Sequence, residues 1–314
     1  MARSTSSPVA APGSAIGAVP ARSHVLQIFY SLRPAQWAKN LVIFAGLIFG
    51  RRLFDPVALI NAVSAFAVFC ILSGVVYLVN DIADRDTDRQ HPLKARRPIA
   101  SGALPVPIAA TAALALGGVG LAAAFGIGRA FAGVAAAYLS LLLLYSGPLK
   151  HIVIIDVLTI AIGFVLRAVA GAVAVNVEIS HWLLVCTILL ALFIALAKRR
   201  HEIVLLAASA ANHRPILGEY SAYLLDQMIG VVTASTLIAY VFYTISPETQ
   251  AKFGTPWLGL TIPFPLYGIF RYLYLVHQRE GGGSPADLLL TDRPLLACVA
   301  LWALAVALII YRPI

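Results

Sequence analysis

Charged residues are scarce in this sequence. Asp, Glu, Lys and Arg together make up 12% of the 314 residues, whereas hydrophobic residues make up 60%. A soluble domain carries about 25% charged residues, so this chain could not bury its apolar surface inside a water-soluble globule. Apolar runs follow one another from residue 40 onward, which excludes two ordinary soluble domains. The composition therefore predicts an all-α polytopic membrane protein.

Cysteine is also rare, and acidic residues are fewer than basic ones. Cys70, Cys186 and Cys298 lie inside apolar segments without metal or redox spacing, which indicates buried packing residues. The chain has 23 Lys and Arg against 14 Asp and Glu. In a soluble protein this excess would suggest nucleic acid, but membrane proteins gather basic residues in their cytoplasmic loops. We therefore expect no nucleic-acid partner.

The chain divides into a polar tail and a long apolar region. Residues 1–22 lack the apolar core of a signal peptide and are rich in Ser, Ala, Pro and Gly, which predicts a disordered cytoplasmic tail. Residues 23–314 are expected to form a single transmembrane catalytic domain. A span needs about 20 apolar residues, and fewer where neighbouring helices cover its ends. Nine spans are predicted, at residues 37–50, 57–80, 104–125, 130–147, 152–175, 182–198, 226–246, 255–276 and 292–311.

The distribution of Lys and Arg predicts the orientation. Of the 23 basic residues, 17 fall on the side that carries the N-terminus, five fall on the other side and one lies within a span. The positive-inside bias places the N-terminus in the cytoplasm, together with the long polar loops 81–103 and 199–225. We therefore expect a cytoplasmic polar cap that carries the chemistry.

The second predicted span ends in a row of carboxylates. If the helix continues, Asp81, Asp84 and Asp88 line one face, with Asn80 beside them, because they are three and four residues apart. Three neighbouring carboxylates repel one another unless a cation lies among them. A ligand set of oxygen atoms without His or Cys favours Mg²⁺ that also holds phosphate oxygens.

An alternative is a solvated loop in which Arg85 and Arg89 neutralise the acids. Two observations count against it. The carboxylates begin at the membrane boundary, where ionisable groups tend to be functional, and a basic segment with Lys94 and Arg97 follows at once. On its own that segment would indicate contact with anionic lipids, but beside a metal site it suits a diphosphate.

The motif Asn80-Asp81-x-x-Asp84-x-x-x-Asp88 resembles the NDxxDxxxD motif of the UbiA superfamily of intramembrane prenyltransferases. Arg97-Pro98 resembles the basic motif that follows it in that family, and the resemblance covers residues 27–311. It implies a UbiA-type bundle of nine transmembrane helices with a cytoplasmic polar cap. It also implies Mg²⁺ as cofactor, held by the catalytic residues Asp81, Asp84 and Asp88.

Further motifs resemble a branch of this family that transfers a phosphoribosyl group from phosphoribosyl diphosphate to a polyprenyl phosphate. They are Arg33-Pro34-x-Gln36-Trp37-x-Lys39-Asn40, Tyr145 with Lys150-His151, Gly163-x-x-x-Arg167, Lys198-Arg199-x-x-Glu202 and Asp292-Arg293. By this resemblance the substrate-binding residues are Gln36, Lys39, Asn40, Asn80, Lys94, Arg97, Tyr145, Lys150, Arg167, Lys198, Arg199 and Glu202.

The same resemblance implies the partners and the location. The partners are a decaprenyl-type phosphate lipid, phosphoribosyl diphosphate and the surrounding membrane lipids, and a homo-oligomer is compatible with the sequence. The location is a bacterial-type plasma membrane, with the active site facing the cytoplasm and a role in cell-wall biosynthesis. The implied chemistry is displacement of diphosphate at the anomeric carbon, with Lys39, Arg167, Lys198 or Arg199 positioning the lipid phosphate.

One departure from the general family pattern separates the branches. Other members carry a second aspartate-rich motif after the sixth helix, whereas this chain has Lys198-Arg199-Arg200-His201-Glu202. A basic cluster with one carboxylate suits a phosphate group better than a second metal. The departure favours phosphoribosyl transfer, and prenyl transfer to an aromatic or lipophilic acceptor stays the alternative. A transporter without chemistry would predict inverted repeats, and the two halves show only faint similarity.

Arg167 lies deep in an apolar span and needs a partner. A centred Arg costs about 2.5 to 3.5 kcal/mol on insertion scales. Asp156 lies on the same helix face but eleven residues earlier, roughly 16 Å along the axis at about 1.5 Å per residue, which is too far for direct pairing. Two roles stay open for Arg167: an ion pair with another helix, or binding of the lipid phosphate or the 5-phosphate of the donor.

Overall fold

A computed structural model describes residues 23–91, 94–206, 215–278, 288 and 291–311, and these residues form helices and no strand. The α-helices are α1 (His24–Ser31), α2 (Ala45–Phe49), α3 (Pro56–Ala83), α4 (Arg85–Gln90), α5 (Val106–Ile127), α6 (Arg129–Ser146), α7 (Ile155–Ala174), α8 (His181–Leu206), α9 (Ala222–Ile245), α10 (Pro247–Phe253), α11 (Pro263–Gln278) and α12 (Arg293–Ile310). Short 3₁₀ segments are Pro34–Phe44, Lys94–Arg96, Leu149–His151, Pro215–Glu219 and Trp257–Thr261. The predicted tail, residues 1–22, lies outside the described residues.

Seven helices in the described part of the chain are long and apolar enough to cross a membrane, namely α3, α5, α6, α7, α8, α9 and α12. They confirm an all-α polytopic membrane protein, but the count of nine spans is not confirmed. Predicted span 37–50 is a 3₁₀ segment joined to the five-residue α2. Predicted span 255–276 is divided between a 3₁₀ turn and the 16-residue α11. That helix is about 24 Å long at 1.5 Å per residue, less than the hydrocarbon core.

The helix that carries the acidic motif begins and ends at aspartates. The carboxylate of Asp55 accepts hydrogen bonds from the backbone N–H groups of Val57 (3.0 Å) and Ala58 (3.2 Å), and Pro56 occupies the first helical position. Helix α3 then ends at Ala83 with Asp84 as its C-cap, and α4 begins at Arg85. The condition of a continuous helix through residue 88, on which the shared face of the three aspartates depended, is therefore not met.

A close helix contact positions the first motif string against the centre of the bundle. A Cβ atom at Gly171 of α7 would overlap the carbonyl oxygen of Ile43, and one at Gly46 would lie 2.7 Å from the backbone of Ala172. Small residues of this kind let backbones approach closely in membrane proteins. The segment 34–49 can therefore pack directly on α7.

Helix α7 belongs to both large apolar clusters of the bundle. Its C-terminal half, with Ala170 and Ala174, joins a cluster built around Phe69, Leu72 and Tyr138. Its first turns join a second cluster that surrounds Phe193 and Leu225. Residues on α7 thus lie between the two halves of the molecule.

Candidate active site

Two buried carboxylates of the acidic motif converge on one guanidinium group. Asp81 and Asp88 are each 2% exposed. Nη1 of Arg97 lies 3.1 Å from Oδ1 of Asp81 and 2.6 Å from Oδ2 of Asp88. Nη2 of Arg33 donates to the same Oδ1 of Asp81 at 2.5 Å, and Nζ of Lys94 is 4.0 Å from Asp88. The break at residue 84 therefore leaves Asp81 and Asp88 facing the same interior point.

Asp84 lies apart from this pair, at the end of α3. Its Oδ1 accepts a 2.5 Å hydrogen bond from Nζ of Lys150, and its Oδ2 accepts one of 3.0 Å from Nδ2 of Asn80. Lys150 belongs to the segment between α6 and α7. The structure thus brings the acidic motif and the predicted Lys150 together across 66 residues of sequence.

The acids are neutralised, but not by the arginines next to them in sequence. Arg89 contacts the exposed Asp86 at 3.5 Å and the carbonyl oxygen of Ala100 at 3.0 Å. In the part of the chain that the structure describes, neither Arg85 nor Arg89 forms an ion pair with the three aspartates. The partners come from distant segments, so the interpretation as a self-neutralised loop is wrong.

The donor set can be compared with what Mg²⁺ requires. Among the described residues, no group of three Asp, Glu, His or Cys side chains is arranged to hold a metal. However, Mg²⁺ is commonly bound by one or two carboxylates together with substrate phosphates and water. Asp81 and Asp88, whose oxygens share one cationic nitrogen, fit that pattern. The set of three carboxylate ligands stays a prediction.

Arg167 lies inside the bundle and is 5% exposed. Its Nε donates to Oδ1 of Asn40 (2.7 Å), its Nη1 to the carbonyl oxygen of Gly163 (3.0 Å) and its Nη2 to the hydroxyl of Tyr138 (2.6 Å). The rings of Tyr138 and Phe164 lie 4.7 and 5.0 Å from the guanidinium carbon. These partners are neutral, so among the described residues Arg167 forms hydrogen bonds and not the ion pair with another helix that was one of its two expected roles.

Positive charge accumulates next to this cluster. Asn40, which is fully buried, also donates from Nδ2 to Oγ of Ser73 at 3.3 Å. The neighbouring Lys39 is exposed, and the positive charges of Lys198, Arg167 and Arg33 act on it. A concentration of like charge on an exposed side chain attracts an anion. Gln36 lies half-buried on the same 3₁₀ segment.

The basic cluster after the sixth predicted span is divided into a buried and an accessible cation. Arg199 is 2% exposed and donates to Asp156 at 3.0 Å, to Glu202 at 2.9 Å and to the hydroxyl of Tyr145 at 3.4 Å. Lys198 lies 3.9 Å from Glu202, with half of its side chain exposed. The protein itself thus holds Arg199, whereas Lys198 is accessible. Direct contact of Arg199 with substrate stays a prediction.

Sequence reasoning missed several members of these clusters. Arg33 was seen only as part of a motif string, and Tyr138 carried no motif signal because it lies in an apolar helix. Asp156 was correctly separated from Arg167, but its partner Arg199 lies 43 residues away. A buried acid in the first turn of a membrane helix is the signal that could have pointed to such a partner.

These observations agree with comparisons to known proteins. The chain belongs to the UbiA prenyltransferase family, whose model matches residues 40–286. A solved UbiA homologue from Archaeoglobus fulgidus bound to DMAPP and Mg²⁺ covers 93% of this chain and 100% of its own, with a TM-score of 0.69 at 20% identity. At that identity the likeness concerns the fold.

Curated relatives are more specific. The chain is 35% identical over 287 residues to the decaprenyl-phosphate phosphoribosyltransferase of Corynebacterium glutamicum, covering 90% of this chain and 86% of the relative. It is 32% identical over 290 residues to the enzyme of the same name from Mycobacterium tuberculosis strain H37Rv, covering 90% and 94%. The family resemblance inferred from the motifs is confirmed.

Proposed function

We propose that this protein transfers the 5-phosphoribosyl group of phosphoribosyl diphosphate to a decaprenyl-type polyprenyl phosphate and releases diphosphate. The names of its curated relatives support this reaction. The observation that carries it is the presence of two groups of cations, with Arg33 between them, since Arg33 pairs with Asp81 and its charge also reaches Lys39. One surrounds Asp81 and Asp88, and the other comprises Lys39, Lys198 and Arg167. Two phosphate-bearing substrates need two such centres, whereas prenyl transfer to a neutral acceptor needs only one.

The first centre is assigned to the diphosphate end of the donor. Asp81 and Asp88 would hold Mg²⁺, and Asp84, which lies apart from them at the end of α3, is proposed as the third ligand. When bound, Mg²⁺ neutralises the negative charge that grows on the leaving diphosphate. Arg97, Lys94 and Lys150 already lie against the carboxylates, so they can turn to phosphate oxygens over a short distance. Asn80 orients Asp84 through its amide.

The second centre is assigned to the phosphate of the lipid. Lys39 and Lys198 are accessible cations, and Arg167 adds a positive charge from inside the bundle. Asn40 and Tyr138 fix the guanidinium group of Arg167. Gln36 lies on the same 3₁₀ segment as Lys39 and is assigned to the same binding site. Tyr145 and Glu202 contact Arg199, which orients the end of α8 next to this centre.

The reaction is a displacement at the anomeric carbon of the ribose. An oxygen of the lipid phosphate forms the new bond to that carbon, and the bond from the carbon to the diphosphate oxygen breaks, with the electron pair leaving on diphosphate. The attacking phosphate is already anionic, so no strong general base is needed. Orientation of the two substrates and electrostatic stabilisation by the two centres account for the catalysis.

The membrane location follows from the lipid. Its polyprenyl tail stays in hydrocarbon while its phosphate meets a water-soluble donor, and a helical bundle with a polar end allows both. We assign that polar end to the cytoplasm of a bacterial-type plasma membrane, since 17 of 23 basic residues fall on that side in the sequence.

The test is transfer of label into the lipid phase. Purified protein is incubated with phosphoribosyl diphosphate labelled in the ribose, decaprenyl phosphate and Mg²⁺, and the lipid is extracted. We expect labelled lipid that requires both substrates and disappears when a chelator removes Mg²⁺. A parallel reaction with prenyl diphosphate and an aromatic acceptor should give no product. Absence of transfer to any polyprenyl phosphate would contradict the proposal.

A further inference from the structure

The residue that precedes α7 has a strained backbone. Ile154 has φ 70° and ψ −43°, close to the γ-turn geometry that is rare and unfavourable. Positive φ is exceptional for a β-branched residue. Of the non-glycine residues with positive φ in the described chain, Ile154 is the β-branched one. Such a conformation persists when its surroundings hold it in place.

The hydroxyl of Tyr220 holds this turn. It accepts a hydrogen bond of 2.7 Å from the backbone N–H of Ile154 and donates one of 2.8 Å to Oδ1 of Asp156. Tyr220 is 5% exposed and Asp156 is fully buried. Burial raises the pKa of Tyr220 to about 12, so the hydroxyl keeps the proton that it donates.

Tyr220 thereby connects two elements of the site without belonging to either. Four residues before Ile154, Lys150 donates to Asp84 of the acidic motif. On the other side, Oδ2 of Asp156 accepts from Nε of Arg199 at 3.0 Å. One hydroxyl therefore fixes the turn that follows Lys150 and the carboxylate that holds Arg199.

We propose that Tyr220 is a positioning residue that sets the places of Lys150 and Arg199 through the backbone of Ile154 and the carboxylate of Asp156. This inference rests on the proposed function, because it concerns the binding of the phosphoribosyl donor. Tyr220 does not touch substrate in this account. Its effect on donor binding passes through the Lys150–Asp84 pair at the diphosphate end of the donor, whereas the contact through Asp156 and Arg199 orients the end of α8 next to the second centre.

The variant Tyr220→Phe tests the hydroxyl and keeps the ring in its apolar cluster. We expect KM for phosphoribosyl diphosphate to rise about tenfold while kcat changes less than about threefold. The reason is that displacement of Lys150 weakens binding of the donor but leaves the chemical step unaffected. The matched control is Tyr240→Phe at the other end of α9. It loses a hydroxyl that bonds Thr261 (2.7 Å) and Trp302 (2.8 Å), and its KM should equal that of the wild type.

A second substitution should rescue the first. Glycine adopts positive φ without steric cost, and Ile154 as a whole residue is 45% exposed, so Ile154→Gly removes the strain with little loss of packing. In the double variant Tyr220→Phe/Ile154→Gly, KM for phosphoribosyl diphosphate should return close to the wild-type value. A role of Tyr220 in packing alone would not be rescued in this way.

The outcomes separate the two claims. If the wild type transfers no label, the proposed function fails. If the wild type is active but Tyr220→Phe behaves like Tyr240→Phe, the inference about Tyr220 is overturned. It is also overturned if the glycine substitution restores nothing, or if Tyr220→Phe lowers the melting temperature well below that of Tyr240→Phe without raising KM.

Discussion

The two polar centres of the molecule compensate buried charge in different ways. At the acidic motif, Asp81, Asp84 and Asp88 each contact a cation, with distances from 2.5 to 2.6 Å for the shortest pair of each. Around Arg167, the guanidinium group is held by an amide oxygen, a carbonyl oxygen and a hydroxyl, all neutral. The first centre is a set of opposite charges, whereas the second keeps one positive charge.

The difference indicates what each centre can bind. Carboxylates paired with cations can exchange partners when a metal and a diphosphate arrive together, because every charge then finds an opposite one. Arg167 needs no exchange. A guanidinium has five N–H donors, and the bonds to described residues use three of them, so two can meet an anion while the rest keep the group in place.

Removal of a carboxylate from the first centre should have the largest effect. Asp81→Ala deletes one of the two carboxylates that accept hydrogen bonds from Arg97, and we expect kcat/KM to fall on the order of 1,000-fold or more. Asp86→Ala is the matched control, because Asp86 lies in the same segment but is 88% exposed. Label transfer and melting temperature are measured for both. Near-normal activity of Asp81→Ala with Mg²⁺ present would contradict the metal assignment.

Removal of the charge from the second centre should have the next largest effect. Arg167→Met keeps much of the volume but leaves Asn40 and Tyr138 without their cation, and we expect kcat/KM for the lipid to fall about 100-fold. Arg167→Lys restores the charge without the planar group and should recover part of the loss. Initial rates at varied decaprenyl phosphate check this. Equal loss in the Met and Lys variants would show that the shape of the residue matters and not its charge.

Loss of one cation of the first centre should have a smaller effect. Arg97→Gln removes the guanidinium shared by Asp81 and Asp88, and we expect KM for phosphoribosyl diphosphate to rise about 30-fold. Arg89→Gln provides the comparison, since Arg89 pairs with the exposed Asp86. Initial rates at varied donor concentration measure both. If Arg89→Gln raised KM as much as Arg97→Gln, the effect would come from the total positive charge of the segment and not from the contact of Arg97 with the two aspartates.

An ion pair outside both centres should affect only stability, and only slightly. Asp292 caps α12 and accepts from Arg271 at 2.8 Å, and that hydrogen bond lowers the pKa of Asp292. A lowered pKa means that the pair stabilises the fold at pH values above the ordinary pKa of Asp. This contribution is lost as the pH falls through the lowered pKa of Asp292. Asp292→Asn should cost less than about 1 kcal/mol at neutral pH and leave kcat/KM unchanged. Melting curves at several pH values test this, and a loss of activity would contradict it.

Local pattern predicted much of this site but not its partners. The end of the second apolar run was enough to place Asp81 and Asp84 at the end of a membrane helix. It did not show the helix break at Asp84, because no Gly or Pro marks that position. Arg33 and Lys150 reach the aspartates across 48 and 66 residues, and such contacts depend on helix packing that single-sequence periodicity does not contain.

For Arg167, too, the sequence predicts that a partner is needed but not which residues provide it. Its burial and its need for a partner follow from an apolar span with one charge. Besides the carbonyl oxygen of Gly163 on its own helix, its partners lie on α6 and on the segment 34–44, which can approach α7 closely because Gly46 and Gly171 permit it. The count of nine spans stays unconfirmed for a related reason, since composition does not show that segments 37–50 and 255–276 contain 3₁₀ turns.

The assignment of one substrate to each centre can be tested with steady-state kinetics of the wild type, Arg97→Gln and Arg167→Met, with both substrates varied. We predict that Arg97→Gln raises KM for phosphoribosyl diphosphate and leaves KM for decaprenyl phosphate unchanged. For Arg167→Met we predict the reverse. If both variants raised KM for the same substrate, the two centres would serve one phosphate group, and the account of two separate binding sites would be wrong.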